Sequence, residues 1–266
     1  MLDNRNGLVI WLPSNIVMDL GDIPAEPDIY TQSAKQLYPL GTKLEFAHGD
    51  IFRYGKWGAT STNVPLARMV VNANLCPGAT GDPDVDGFEG DLYTAAAAGA
   101  TYVDLEIATA YAENFFEDGK LAVYPTGHYT TYRICGSELG NGTYCRVYLD
   151  APLKTAITAS DGVTAYKSKF SQLKDAVAEG STFVSAMGAC LASGFTSAYF
   201  GWIMRRGETI VTPTAYFGDT ADERMAQLHT DGCIALKAAH GTHTVGYLTA
   251  RTESGYGDLL VQLMLE

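Results

Sequence analysis

The stretch Tyr102-Val103-Asp104-Leu105-Glu106-Ile107 places Val103, Leu105 and Ile107 on one side of an extended strand and the carboxylates of Asp104 and Glu106 on the other. The reason is that successive side chains of a strand point to opposite faces. A strand with one apolar and one wet face suits an antiparallel sheet. This period of two recurs along the chain and limits the fold more than any other feature.

Lys43-Leu44-Glu45-Phe46 alternates in the same way, His48-Gly49-Asp50 turns the chain, and Phe52-Arg53-Tyr54 returns it, which predicts a β-hairpin. Further strands are expected at 68–72, 120–124, 130–134, 145–149, 198–205, 209–212, 233–237, 244–249 and 258–265. In the last of these Leu259, Val261, Leu263 and Leu265 share one face while Leu260 and Met264 take the other. Both faces are largely apolar, so this strand is expected at the centre of a sheet or sandwiched. Gly207-Glu208, Gly218-Asp219, Asp231-Gly232 and Gly255-Tyr256-Gly257 mark turns. Helical spacing is found at 169–179, where Phe170, Leu173 and Val177 recur at three and four, and a helical turn or two fits 108–118.

The fold class expected is all-β, mainly antiparallel, with sandwich or barrel modules, few short helices and an extended N-terminal arm. The arm is residues 1–40, where Pro13, Pro24, Pro27 and Pro39 forbid a continuous helix. It carries apolar anchors from Leu8 to Leu12, Trp11 among them, and either lies across another surface or folds back on its own domain. A β-rich domain is expected over 41–157 and a second over 158–266, the latter able to form one continuous fold with 41–80.

With 16 tyrosines, 28 glycines and 47% hydrophobic residues, the chain has the material for strands, tight turns and a core. A formal net charge of −12 repels phosphates, so neither nucleic acid nor an anionic membrane is an expected partner. No stretch approaches the ~20 apolar residues of a membrane span. The acidic start and the short apolar run ending at Pro13 do not read as a secretory signal, so synthesis in a cytoplasm is expected. Cys76, Cys135, Cys145, Cys190 and Cys233 form no Cys-x-x-Cys pair, and an odd count in that compartment reads as buried free thiols.

Chemistry-bearing patterns are few. Asp82-Pro83-Asp84-Val85-Asp86-Gly87 matches the first half of a calcium loop, but Tyr93 stands where a bidentate glutamate is needed. Asp82, Asp84, Asp86 and Asp91 are therefore the weak metal candidates, with a solvated acidic turn as the alternative. His240-Gly241-Thr242-His243 has the wrong spacing for a helical zinc pair and reads as a turn. Nucleophile-elbow and phosphate-loop patterns are absent from the sequence, so no catalytic residue and no cofactor is expected. Arg205-Arg206 is either a solvated turn at a strand end or a partner for a neighbouring subunit's carboxylate. Tyr129 and Tyr132, in the tyrosine-rich middle of the chain, suit a protein interface, since tyrosine has one apolar and one wet end. Trp11, Tyr129, Tyr132, Arg205 and Arg206 are thus the interface candidates.

Several segments resemble tailed-phage and metagenomic phage proteins of the virion. They are Gln36-Leu37-Tyr38-Pro39-Leu40-Gly41-Thr42, Phe52-Arg53-Tyr54-Gly55-Lys56-Trp57-Gly58-Ala59, Tyr132-Arg133-Ile134 and Val147-Tyr148-Leu149-Asp150-Ala151-Pro152-Leu153-Lys154-Thr155-Ala156. His243-Thr244-Val245-Gly246-Tyr247 and the terminal Leu259 to Leu265 look like the closing strands of head-decoration modules. The resemblance implies a β-rich, often trimeric decoration (cement) protein, without enzymatic activity, on the outer surface of a phage capsid. The partners it implies are the major capsid protein and other copies of the chain. A host-facing head fibre, a carbohydrate-binding module of the virion and a tail or neck connector are the alternatives. It carries over no catalytic residue.

Overall fold

The computed structural model describes residues 2–5, 8–11, 28–58, 67–72, 87–108, 110–125, 129–174, 185–191, 196–214, 224–229, 232–236, 243–250 and 259–266. In chain order the strands are β1 (Leu2–Arg5), β2 (Leu8–Trp11), β3 (Lys43–Glu45), β4 (Ile51–Lys56), β5 (Met69–Asn72) and β6 (Gly87–Gly90). Then come β7 (Tyr102–Glu106), β8 (Lys120–Val123), β9 (Thr130–Ser137), β10 (Tyr144–Leu149), β11 (Val163–Tyr166) and β12 (Ser185–Cys190). The last are β13 (Phe200–Val211), β14 (Met225–Leu228), β15 (Ile234–Leu236), β16 (Thr244–Ala250) and β17 (Leu259–Met264). All ladders between these strands are antiparallel, one sheet curls into a half-barrel, and the described residues contain no helix: the chain is all-β.

Two compact units form. Unit 1 takes residues 1–73 and 170–266, and unit 2 takes 74–169. The boundaries expected at 40 and 157 do not separate them. β4 pairs with β13 from Phe200↔Lys56 to Arg206↔Ile51, and β5 pairs with β12, so early and late segments share one sheet. β11 pairs with β8 and β6, so residues just past 157 stay with the middle of the chain.

The sheet of unit 1 runs β1-β2-β3-β4-β13-β17-β16-β14-β15, with β12 joined to β13 and β5 to β12. The N-terminal segment does not stand apart here: β2 pairs with β3 through Val9↔Glu45, Ile10↔Leu44 and Trp11↔Lys43. On one side of β4 and β13, Tyr38, Tyr54 and Trp202 pack ring against ring, with centroids 5.1–5.3 Å apart. On the other side Trp57, Val70, Phe170, Leu173, Met187 and Ile203 form a second cluster. The strands between are therefore buried on both faces, and each fully buried large side chain contributes roughly 1.5–3 kcal/mol. β17 is central, between β13 and β16, but it is not sandwiched. Leu259, Val261 and Leu263 are fully buried while Met264 is exposed, so one face alone meets the core.

The expected helix at 169–179 is not formed over its described part, 169–174. Lys56 N–H donates to Phe170 O, Leu173 N–H to Lys56 O and Lys174 N–H to Val71 O, so the segment runs along the ends of β4 and β5. Gln172 has φ 53, which a helix does not allow. Leu173 bridges Trp57, and with Phe170 in the turn before it reaches the core without a helical stripe. Likewise 111–118 is a series of turns closed by i→i−3 bonds at Phe115, Glu117 and Gly119. Positive φ at Asn114 and Asp118 breaks it, while Tyr111, Phe115 and Phe116 pack on one another.

The sheet of unit 2 runs β6-β11-β8-β9-β10-β7. Its inner face carries Val103, Leu105, Leu121, Ile134, Val147 and Val163, all buried. The alternation of β7 holds as expected for Val103 and Leu105.

Candidate binding surfaces

Pairing of β10 with β7 sets Tyr148 opposite Tyr102, Arg146 opposite Asp104 and Tyr144 opposite Glu106. These six side chains sit at alternate positions, so they share the face turned away from the core. Arg146 organises the face. Its Nε and Nη2 donate to the two oxygens of Asp104 at 2.8 and 3.0 Å, and its guanidinium lies over the Tyr102 ring, 4.2 Å from the centroid. The bond to Asp104 holds the guanidinium pKa above its ordinary value. A planar fork matched to a carboxylate and stacked on an aromatic is the geometry that arginine, and not lysine, provides.

Around this pair the rings are ordered. Tyr102 and Tyr148 meet edge to face at 6.4 Å, and Tyr93 stacks on Tyr144 at 5.1 Å with 19° between planes. The Tyr148 hydroxyl donates to the Glu138 carboxylate, which pushes the phenol pKa up. Tyr93, Tyr102 and Tyr148 all remain substantially exposed. Aromatic groups held rigid at a wet surface lose little rotamer freedom on contact with a partner, which suits them to recognition.

A second feature lies in unit 1. A groove of ≈ 860 Å³ opens among residues of six separate segments, with Phe46, Phe52, Leu191 and Leu260 as apolar lining. Asp28, Asp50 and Glu208 supply carboxylates, His48 is beside them, and the described lining contains no lysine or arginine. His48 Nε2 lies 2.8 Å from Asp50 Oδ2. The Asp50 carboxylate rests against the bare Cα of Gly207, which has φ +121; a Cβ there would overlap it. Glycine at 207 therefore fixes where this carboxylate sits.

Behind the groove's strand, Arg205 and Arg53 share the carboxylate of Glu266. Arg205 Nε donates to Glu266 Oε2 at 2.8 Å, Arg205 Nη1 to Met187 O at 2.6 Å, and Arg205 Nη2 to Leu265 O. Arg53 Nη2 donates to the other Glu266 oxygen and Nη1 to Gly41 O at 2.8 Å. Burial pushes the Glu266 carboxyl up, but the hydrogen bond and charge of Arg53, with those of Arg205, outweigh it and hold the group below its ordinary value.

The interface candidates separate under this geometry. Tyr129 is 75% exposed, ahead of β9. Tyr132 is 5% exposed, and its hydroxyl accepts the Lys154 N–H at 2.9 Å, so it serves the core of unit 2 and presents no surface. Arg205 is neither at a strand end nor solvated. It is 7% exposed within β13, and its carboxylate partner is in the same chain. Arg206, next along the strand, is exposed. Trp11 lies on β2, opposite Leu2 and Lys43 in register. Tyr132 and Arg205, being buried, therefore drop out as interface residues.

Asp82, Asp84 and Asp86 lie outside the described residues, as do His240, Gly241 and Thr242. Asp91 is exposed and its carbonyl accepts the Glu106 N–H at 3.0 Å. Among the described residues no group of three His, Cys, Asp or Glu side chains is placed to hold a metal ion. Four described cysteines form no disulfide: Cys145, Cys190 and Cys233 are buried, and Cys135 is exposed, which corrects the expectation for that one.

Arg146, Asp104 and Glu138 were absent from the sequence-based candidates. The signal for them was Tyr144-Cys145-Arg146-Val147-Tyr148, where the outward residues of one strand alternate Tyr-Arg-Tyr. The groove left no comparable trace, because its carboxylates come from loops and strands far apart in the chain. Comparison of the chain with family models, with curated proteins and with solved structures finds no match.

Proposed function

We propose that this chain is a structural component of a tailed-phage particle that binds the outer surface of the capsid and stabilises it. It acts by adhesion to the major capsid protein and to other copies of itself, as a trimer, and it carries out no reaction. The observation that supports adhesion is the outward face of β7 and β10, where Arg146 is clamped by Asp104 and stacked on Tyr102 beside Tyr148. Arginine and tyrosine are the residues most enriched where protein interfaces concentrate their binding energy. The phage setting rests on the sequence resemblance.

The physical logic is mass action. A ligand that binds the assembled shell and not its free subunits shifts the equilibrium toward the intact shell. A trimer adds avidity, because the second and third contacts form at high effective concentration.

Imaging of purified particles, with mass spectrometry of their proteins, tests the reading. The expected result is many copies on the head surface, with the β7–β10 face against the shell. About a dozen copies would point instead to a vertex or to a tail or neck connector. A host-facing fibre or carbohydrate-binding module is the second reading, favoured by the same exposed tyrosines, whose rings can stack on sugars. Binding of a glycan by the isolated protein, with no binding to shells, would select it.

A further inference from the structure

We propose that the groove of unit 1 receives an extended, basic segment of the shell protein, a Lys or Arg seated among its carboxylates with apolar neighbours on its floor. The inference rests on the proposed adhesive function and names the chemistry of the partner.

Three observations lead there. The first is charge. Asp28, Asp50 and Glu208 face the groove with no lysine or arginine in the described lining, and His48, 2.8 Å from Asp50, is the one lining residue there able to carry an opposing charge. A cleft lined by one sign of charge focuses its field and selects the opposite sign. The second is the mixture of surfaces. Phe46 and Phe52 meet edge to face at 5.5 Å and supply aromatic lining, and Ile210, also in the lining, is 52% exposed. A simple cation would leave that apolar surface wet, whereas a peptide carries a charge and apolar side chains together. Aromatic rings also attract a cationic head through their quadrupole.

The third is the backbone. β4 leaves β13 at the Arg206↔Ile51 pair, and beyond it residues 207–211 of β13 pair, among the described strands, with β17 alone. The groove is lined by Glu208, Thr209 and Ile210 of that same stretch. An edge left open among the described strands suits addition of an extended peptide, whose alternate side chains then enter the groove. The position of Asp50 is built for the purpose of holding charge there, because Gly207 leaves the slot its carboxylate fills.

The test uses the whole protein and the blocked peptide Leu-Lys-Leu-Lys-Leu, with Leu-Glu-Leu-Glu-Leu as its opposite, titrated by calorimetry at low and high salt. The expected result is binding of the lysine peptide alone, weakened by salt. Glu208→Lys and Ile210→Ser should each weaken it at least about tenfold, while Glu113→Lys, with the same charge change at an exposed position of unit 2, leaves it unaltered. Both Glu208 and Ile210 are exposed, so the variants should keep the parent melting temperature.

Equal loss in Glu113→Lys would reduce the effect to overall charge and overturn the proposal. So would equal binding of the glutamate peptide. A fall in oligomer mass on light scattering of Glu208→Lys would assign the groove to a second copy and also overturn it. Co-sedimentation with phage shells is read separately. If the peptide binds and shells do not, the capsid reading and the shell segment named here both fall while the basic-peptide specificity of the groove stands. If shells bind and the peptide does not, the groove proposal fails and the adhesive function survives.

Discussion

Arg205 and Glu266, 61 positions apart, share a hydrogen bond of 2.8 Å from Nε to Oε2, with only 9% of the arginine side chain open to solvent. The pair joins β13 to the second residue past β17, and Leu265 N–H adds a bond to Arg205 O at 3.0 Å. Burial pulls the Arg205 pKa down and Glu266 opposes it, so the guanidinium depends on that carboxylate for its compensation. Replacing Glu266 with Gln leaves a buried cation held only by carbonyls. The expected cost is about 3 kcal/mol, the lower end for breaking a buried pair, measured as a shift in the denaturant midpoint with an unchanged slope.

The same carboxylate predicts an acid limit. Its pKa in the folded chain lies below the ordinary glutamate value, so the unfolded chain binds a proton first as pH falls. The stabilisation is complete above the unfolded pKa of about 4.3 and is lost as pH drops through the lower folded value. Melting temperature should therefore fall as pH drops below about 5, and Glu266→Gln should flatten that slope. A parallel pair of curves would show that other carboxylates set the limit.

On the outward face of unit 2, Tyr102→Ala and Tyr148→Ala should leave the fold intact, since both rings are largely outside the core. Their effect should fall on adhesion, weakening co-sedimentation with shells by about tenfold or more each. Arg146→Lys should do the same, because an ammonium cannot grip both Asp104 oxygens and cover the ring at once. Retained binding in all three variants would remove this face from the contact.

Gly246 predicts a backbone effect. A Cβ at this position would overlap the Gln262 carbonyl oxygen and lie 3.1 Å from Leu263 Cα, so Gly246→Ala must push β16 off β17. The strain of overpacking is typically about 1–3 kcal/mol, and because the obstacle is β17 backbone rather than a flexible side chain this site belongs at the upper end. Ala at Gly49, which has space around it but φ +97, tests conformational strain without a clash.

Thiol chemistry should distinguish the cysteines. Burial, then the charges of Glu138 and Asp104, pushes Cys145 up to about 11, so its nucleophilic thiolate is scarce. Mass-spectrometric mapping after brief alkylation of the folded protein should find Cys135 modified and Cys145 and Cys190 untouched. Modification of Cys145 at the rate of Cys135 would contradict its burial.

Local sequence determined the all-β class and most strands. Alternation in β3, β4, β7 and β10 needs only neighbouring residues, and a period of two is a property of extended backbone itself. It failed where local preference and final environment disagree. β14, Met225-Ala226-Gln227-Leu228, is made of good helix formers yet lies as a strand between β15 and β16. β12, Ser185 to Cys190, is small residues buried on both faces, with no alternation to read. Phe170 and Leu173 keep helical spacing but are buried by a segment that runs along the ends of two strands.

What tertiary structure alone decided is which distant segments meet. The Phe200↔Lys56 pairing spans 144 positions (200 − 56), and it makes unit 2 an insertion within unit 1. Tertiary packing also buried Arg205 in unit 1 and Tyr132 in unit 2, and it assembled the groove's carboxylates. Long-range contacts of this kind leave no periodic mark, because the energy that selects them comes from burying whole faces together and not from any one residue's neighbours in sequence.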